Sequence, residues 1–441
     1  MKRISLILVV FSILLTLPSC SSPREICVGP NCTESASFAI EEEASLQIVV
    51  KNDQMGQDIV ALWNAAHPEH AGIVSYVVDP RPSTELYQTG LYDLMYVETS
   101  QVPLLMDRAL VLPQRFDQYL SLTEMAYLTT VVNREQLYFV PVDTRGNIFA
   151  YNVTLLESLG IDLSTTGSHG LPAAISSWEQ IFELSKTLKE QESLPFSLLY
   201  PVDFEDRWYL YPLLSSGGWE IFANEDVYYS GFGSEAFTSG LEFIKALSAN
   251  QIDRRQDISA DWSYDQVLSE QSALFLTVND WLYLKDFQAS GDYVLGYGPY
   301  PTWKEITPTP LKEVFGYLIY KNTSFPNAAS ELLRLICSKE MIQANIDNPD
   351  LYPLVPKDQQ ELFVFSDPQK LQMIDAYRYS ILVPLYALKE NPAIRGWQLY
   401  MEIDFIPSIE ALYHNEITIE EAQSSFENLG SLWYKEHRVA P

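Results

Sequence analysis

The sequence predicts an α/β protein built as two globular units, and three observations predict it. Short β-branched apolar runs alternate with stretches of helical period along most of the chain. The chain has 441 residues. About 420 remain behind an N-terminal leader, more than one ordinary core encloses. A hydrophobic fraction of 47% and an aromatic fraction of 13%, with 27 Tyr and 9 Trp, suffice to fill large cores and still line a cleft.

The leader comes first. Lys2 and Arg3 open the chain, residues 4–17 are almost unbroken apolar, and Leu17-Pro18-Ser19-Cys20 ends the run before the polar Ser21-Ser22-Pro23. This is the layout of an export signal. The run holds about fourteen residues where a membrane span needs about twenty, and no later run reaches that length. The cysteine at the boundary resembles the lipobox of bacterial lipoproteins. That resemblance implies cleavage after a signal of residues 1–19, a lipid on the Cys20 thiol, and a body held on the extracytoplasmic face of a cell membrane. Residues 20–45 are rich in Ser, Glu, Pro and Gly without a period, and read as a flexible tether. Cys27 and Cys32 flank Gly29 and Pro30, and whether they pair stays open. Cys337 follows Leu332, Leu333, Leu335 and Ile336 and reads as a buried thiol.

The body starts at residues 46–50, a β-branched run that ends at Lys51-Asn52-Asp53 and reads as a buried strand. Residues 56–66 read as a helix stopped by Pro68, 72–78 as a strand, and 92–97 as another. Strand-like runs at 136–142 and 148–151 flank a sharp segment with Pro141 and Gly146. Ser176 or Ser177 caps a helix at Trp178. Later strands are expected at 196–200, 273–278, 293–297 and 315–320. There is no internal repeat.

Composition excludes several functions. A net charge of −30 opposes binding to a polyanion, so nucleic acid is not a partner. The acids are scattered, which fits solubility outside a cell. With 58 acidic residues, carboxylate pairs arise by abundance and are no evidence of glycan cleavage. His67-Pro68-Glu69-His70 is broken by its proline as a metal pair, and the sparse ligands predict no metal. No phosphate loop or nucleophile elbow is present, and no cofactor is expected.

Several segments, in order, resemble the sugar-binding lipoproteins of ATP-driven (ABC) importers, the group that includes maltose-binding protein. They are residues 46–53, Tyr92-Asp93-Leu94-Met95-Tyr96, the run 138–152 ending Tyr-Asn, and the helix 152–160. Ser177-Trp178-Glu179, Tyr211-Pro212-Leu213-Leu214 with Gly217-Gly218, Pro326-Asn327-Ala328-Ala329 and residues 418–422 follow. Two positions depart from the pattern: Leu268-Ser269-Glu270-Gln271-Ser272 replaces a common Phe-x-x-Gly, and Asn415 a common glycine. The resemblance implies a two-lobed periplasmic-binding-protein fold of the type II, flytrap kind, with a central ligand cleft. Lobe 1 is expected at 46–145 plus 302–345, and lobe 2 at 146–301 plus 346–441.

It also implies a non-enzymatic solute receptor. A carbohydrate, most simply an oligosaccharide, is captured by cleft closure and passed to permease subunits by a monomer. Matched positions supply the ligand residues. Asn52 and Asp53 follow the first strand, and Asp53 is either a hydroxyl acceptor or a helix-cap residue. Glu98 and Thr99 stand at another strand's carboxyl end, where α/β folds place ligands. Arg145 replaces an acid that contacts sugar in relatives. Asp206, Arg207, Trp208 and Tyr209 resemble a stacking aromatic pair, with helix core as the rival role. Asp280 and Trp281, and Arg395 and Trp397, resemble further stacking sites, with core packing as the rival. Convergent arginines would favour an acidic sugar or sugar phosphate, and a polyamine is a further ligand class. A secreted glycan-active enzyme and a surface adhesion lipoprotein are the competing readings of another class.

Overall fold

The structure is a computed structural model that describes residues 38–81, 83–113, 116, 119–122, 132–133, 136–191, 204, 207–221, 230–250, 274–277, 294–353, 355–382 and 392–437. The expected strand at 196–200, the leader, Cys20, Cys27 and Cys32 lie outside the described residues.

In chain order the strands are β1 (Leu46–Val50), β2 (Val74–Val78), β3 (Leu94–Glu98), β4 (Val132–Asn133), β5 (Gln136–Leu137), β6 (Val140–Gly146), β7 (Ile148–Asn152), β8 (Leu274–Thr277), β9 (Leu295–Gly298), β10 (Leu311–Ile319) and β11 (Ile381–Leu382). Among the described residues they form a mixed α/β protein with two main sheets. The larger sheet runs β11-β10-β3-β1-β2, and β6 pairs with β10. β1 is parallel to β2 and β3, whereas β10 is antiparallel to β3 and β6. The smaller sheet is the antiparallel trio β8-β7-β9, and β4 and β5 form a separate hairpin.

Local sequence explains the pieces. Leu46, Ile48, Val49 and Val50 are all buried, because a strand covered on both faces reads as a continuous apolar run. β7 shows the alternation directly. Phe149 and Tyr151 face one hydrophobic cluster, and Ile148 and Ala150 face another across the sheet. The helix Asp53–Ala66 starts at Asn52, whose side chain accepts from Met55 N at 2.9 Å. It buries Met55, Ile59 and Trp63, one stripe at helical spacing. Capping boxes open the helices Trp178–Glu190 (Ser177 with Gln180) and Ile419–Glu436 (Thr418 with Glu421). Asn415 sits at φ 59°, a left-handed conformation that asparagine tolerates nearly as well as the glycine it replaces.

Hydrophobic side chains gather in two large clusters. The first spans Phe38 to Val142 and Val314 to Leu351, around the larger sheet. The second runs from Phe149 to Leu311 and from Leu399 to Trp433. The chain passes from one to the other at Gly146–Asn147, returns between Leu311 and Val314, and leaves again after Leu351 for a smaller cluster containing Tyr352 and Tyr377.

Packing is notable at two places near the expected boundaries. Packing starts at Phe38, not at residue 46. Phe38 is 3% exposed within the first cluster, and Glu41 accepts from the backbone N–H groups of Asn327 and Ala328 at 2.8 and 2.9 Å. The helix Pro326–Ile336 has no side-chain cap of its own at Phe325, so Glu41 satisfies its exposed donors. The second place lies just after the expected boundary at 302. Trp303 and Leu311 pack in the second cluster, held there by rings including Phe182 and Phe243.

Candidate functional site

β1 and β3 run parallel, so their carboxyl ends meet at one edge of the larger sheet. β10 is antiparallel to β3, which brings its first half to that same edge. β6, antiparallel to β10, adds its last residues. Lys51, Asn52, Glu98, Thr99, Asp143, Arg145, Glu313 and Phe315 therefore come together from four distant stretches, where the chain crosses between the two large clusters. This is the position at which open α/β sheets bind ligands.

Asp143 is the hub. It is 0% exposed, and its Oδ2 accepts from Tyr96 OH at 2.7 Å and from Lys51 Nζ at 3.5 Å. Arg145 Nε stands 4.0 Å from the same oxygen. Oδ1 accepts from the Tyr352 backbone N–H at 2.6 Å. The hub thus joins β1, β3, β6 and the segment leaving the first cluster. Lys51 also donates to the Asp350 carbonyl. Burial lowers the Lys51 ammonium below its ordinary value, with Asp143 and Asp350 working against that shift. Burial, then Asp143, holds the Tyr96 phenol well above the usual tyrosine range.

Arg145 lies 4.7 Å from the centre of the Phe315 ring, which is itself stacked on Tyr96 at 5.7 Å. Burial opposes its charge, yet Asp143, Tyr96, Tyr377 and Glu313 together raise it above the ordinary arginine value. Glu313 faces Arg145 across the strands and shares a hydrogen bond with Glu98. Its carboxyl is pushed up to about 8, first by burial and then by the charge and hydrogen bond of Glu98, against the pull of Arg145.

The remaining expected residues divide. Asn52 is engaged, donating to Asn348 Oδ1 at 3.3 Å and to Asp350 Oδ2 at 3.1 Å while capping its helix. Asp53 is exposed in the first turn of that helix, so the cap is Asn52. Thr99 is buried, and its hydroxyl accepts from Val314 N at 3.4 Å. Arg207 turns into the second cluster. It donates to the Ile403 carbonyl at 3.0 Å and lies 3.9 Å from the Phe405 ring centre. Trp208 is half-buried, and its carbonyl accepts from Asn147 Nδ2 at 2.8 Å, which ties it to the end of β6. Tyr209 is 5% exposed, and the Trp208 side chain packs against the second cluster. Asp206, Asp280 and Trp281 lie outside the described residues, as do the side chains of Arg395 and Trp397 on the helix Pro392–Glu402.

Sequence reasoning missed Lys51, Tyr96, Asp143, Glu313 and Phe315. Asp143 had a signal, an acid directly after the apolar run Val140-Pro141-Val142, a setting in which an acid is rare unless it is paired. Among the described residues no group of three or more His, Cys, Asp or Glu side chains is placed to hold a metal, and no helix is long and apolar enough to cross a membrane. His67 is occupied otherwise, with Nε2 2.9 Å from buried Glu331.

Residues 51–342, well over half of the chain, match the family described as bacterial extracellular solute-binding protein. No curated protein matches the sequence.

Proposed function

The chain belongs to the bacterial extracellular solute-binding protein family, and from that premise we propose that it captures a carbohydrate, most simply an oligosaccharide, for an ABC-type importer. The family is described by solute binding, which supports reading the chain as a receptor. In the proposed arrangement two lobes of a flytrap close on the cargo, a lipid on Cys20 anchors the monomer outside the cell, and permease subunits receive the load. The observation that carries this reading is the convergence of Asn52, Glu98, Thr99 and Arg145, with Trp208 nearby, on the edge where the chain crosses between its two large clusters.

The edge suits a sugar chemically. Carboxyl and amide groups serve hydroxyls, and a half-buried indole offers an apolar face to a C–H surface. Cargo contacts that exist only when both lobes touch it would draw the population toward the closed form. Cargo with equal affinity for both forms would shift nothing. Asp53, Asp206, Asp280, Trp281, Arg395 and Trp397 remain proposed contributors from the rim and the second lobe.

The acidic-cargo alternative loses support, because Arg145 and Arg207 are both engaged inside the protein. A polyamine stays in the test panel as a second cargo class.

A thermal-shift panel of neutral oligosaccharides, uronates and polyamines tests the proposal. A true cargo at a hundredfold excess over its Kd stabilises by about 2.7 kcal/mol, a clear rise in Tm. Trp208→Ala is expected to weaken that cargo at least about tenfold with a smaller effect on the ligand-free Tm. A panel without a single shift, together with solution scattering that never contracts, refutes capture by closure.

A further inference from the structure

We propose that Glu98 and Glu313 form a one-proton carboxyl pair that faces the cargo edge and links capture to pH. This rests on the reading of that edge as the cargo site, and it names how the site is regulated.

The geometry comes from the strands. Glu98 ends β3 opposite Phe315, and Glu313 lies two residues before Phe315 on β10, so both carboxyls stand on the same face of the sheet. Burial and the neighbouring Glu98 carboxyl push the Glu313 carboxyl up. With Glu313 protonated, the pair carries a single negative charge. The charged and titratable groups around it among the described residues are Arg145 and Asp143 on β6, Lys51 beyond β1, Tyr96 on β3, Lys312 on β10 and Tyr377 at the end of the helix Pro368–Tyr377. Asp143 engages Lys51, Tyr96 and Arg145, and Lys312 donates to the Tyr377 carbonyl at 2.8 Å. Arg145, opposite Glu313, is shared between Asp143 and the charge that the pair retains.

An independent observation at the end of β6 points to a ligand. Side chains at 143 and 145 share one side of β6, and Asn147 follows directly after the strand ends at Gly146. Asn147 is 0% exposed; its Nδ2 serves the Trp208 carbonyl, and its Oδ1 has no partner among the described residues. A buried acceptor without a donor is costly, and a cargo hydroxyl at this edge would satisfy it.

The consequence is a proton-dependent site. With its proton the pair offers one donor and several acceptors to hydroxyl groups. Without it, two carboxylates face each other, repel, and must swing apart or recruit a cation. Neutral cargo is therefore held best below the pH at which the pair ionises, and anionic cargo is disfavoured throughout.

Two measurements decide this on the full mature chain. The first needs no ligand. Glu313 keeps its proton in the folded state up to about 8 but gives it up near 4.5 when unfolded. The unfolded chain thus binds fewer protons across that window, and stability falls as pH rises through it. Wild-type Tm should drop between pH 5 and pH 8.5. Glu313→Gln, whose amide still donates to Glu98 but cannot ionise, should flatten much of that drop, and Glu98→Gln should do likewise. An unchanged slope in both variants overturns the pair. The second uses the best-shifting neutral oligosaccharide of the panel. Its affinity should fall at least about tenfold from pH 6 to pH 9 in wild type and stay level in Glu313→Gln. A pair that titrates as expected while affinity ignores pH overturns the link to capture. A panel in which nothing binds fails the carbohydrate reading instead, and the ligand-free slopes then decide the pair.

Discussion

Replacing Asp143 with alanine is expected to cost about 3–5 kcal/mol of stability, the usual penalty for removing one partner of a buried ion pair. The carboxylate is fully buried, and four chain segments converge on it. Its loss strands the Lys51 ammonium, which is 17% exposed and keeps only the Asp350 carbonyl and whatever water can reach it. The Tyr352 N–H and the Tyr96 hydroxyl lose their acceptors at the same time. Asp143→Asn should fall between, because an amide oxygen still accepts from Tyr352 but carries no charge for Lys51. Adding Lys51→Met to Asp143→Asn should recover part of the loss, since the buried charge then leaves with its partner. Denaturant midpoints with an unchanged slope report these differences. A loss below about 1 kcal/mol for Asp143→Ala would mean that the hub does not hold the crossings together.

The same residue shows what sequence can and cannot disclose. β1, β3 and β7 were legible because strands buried on both faces spell themselves as apolar runs. The cap before Trp178 is legible to within one residue, Ser176 or Ser177, because a capping box is local, closing within four residues. β10 was read as starting at Phe315 because Lys312 and Glu313 look like a loop. Both belong to the strand, Lys312 through a buried bond to Tyr377 and Glu313 through Glu98 and Arg145. Phe38 and Glu41 were assigned to the tether because nothing near them in sequence forms a partner. Their partners lie on the helix Pro326–Ile336, 286 and more residues away. Of the candidate site, the strand end that carries Glu98 and Thr99 is visible in the sequence, and Arg145 is visible only through the family resemblance. Their counterparts were not visible, because a register between β10 and its neighbours is a tertiary fact. Trp208 and Tyr209 show the same limit, since an aromatic pair in a string of letters does not disclose that Tyr209 is buried and Trp208 lies against the second cluster.

Gly316→Ala is expected to be among the most damaging single-methyl changes in the chain, at about 3 kcal/mol or more. In an ordinary strand, alanine would be favoured over glycine by about 0.5–1 kcal/mol, because glycine loses more freedom on folding. Here that gain is overwhelmed. A Cβ on Gly316 would overlap the Val140 carbonyl oxygen and fall 2.7 Å from Cζ of Phe139. The first obstacle is backbone, which no rotamer change can move aside. Gly316 is also where the β10–β6 register slips, with Phe315 opposite Asp143 and Gly316 opposite Pro141. The slip leaves Val142 as the extra residue of a bulge, a device that re-aims the side chains beyond it. Asp143 and Arg145 are those side chains. The substitution should therefore lower Tm and also blunt the pH dependence that Glu98 and Glu313 impose, since Arg145 would no longer stand opposite Glu313. A variant that folds with wild-type Tm and an intact pH slope would show that the strands part without disturbing the site. The close approach of β6 to β10 would then have no bearing on how the cargo edge is built.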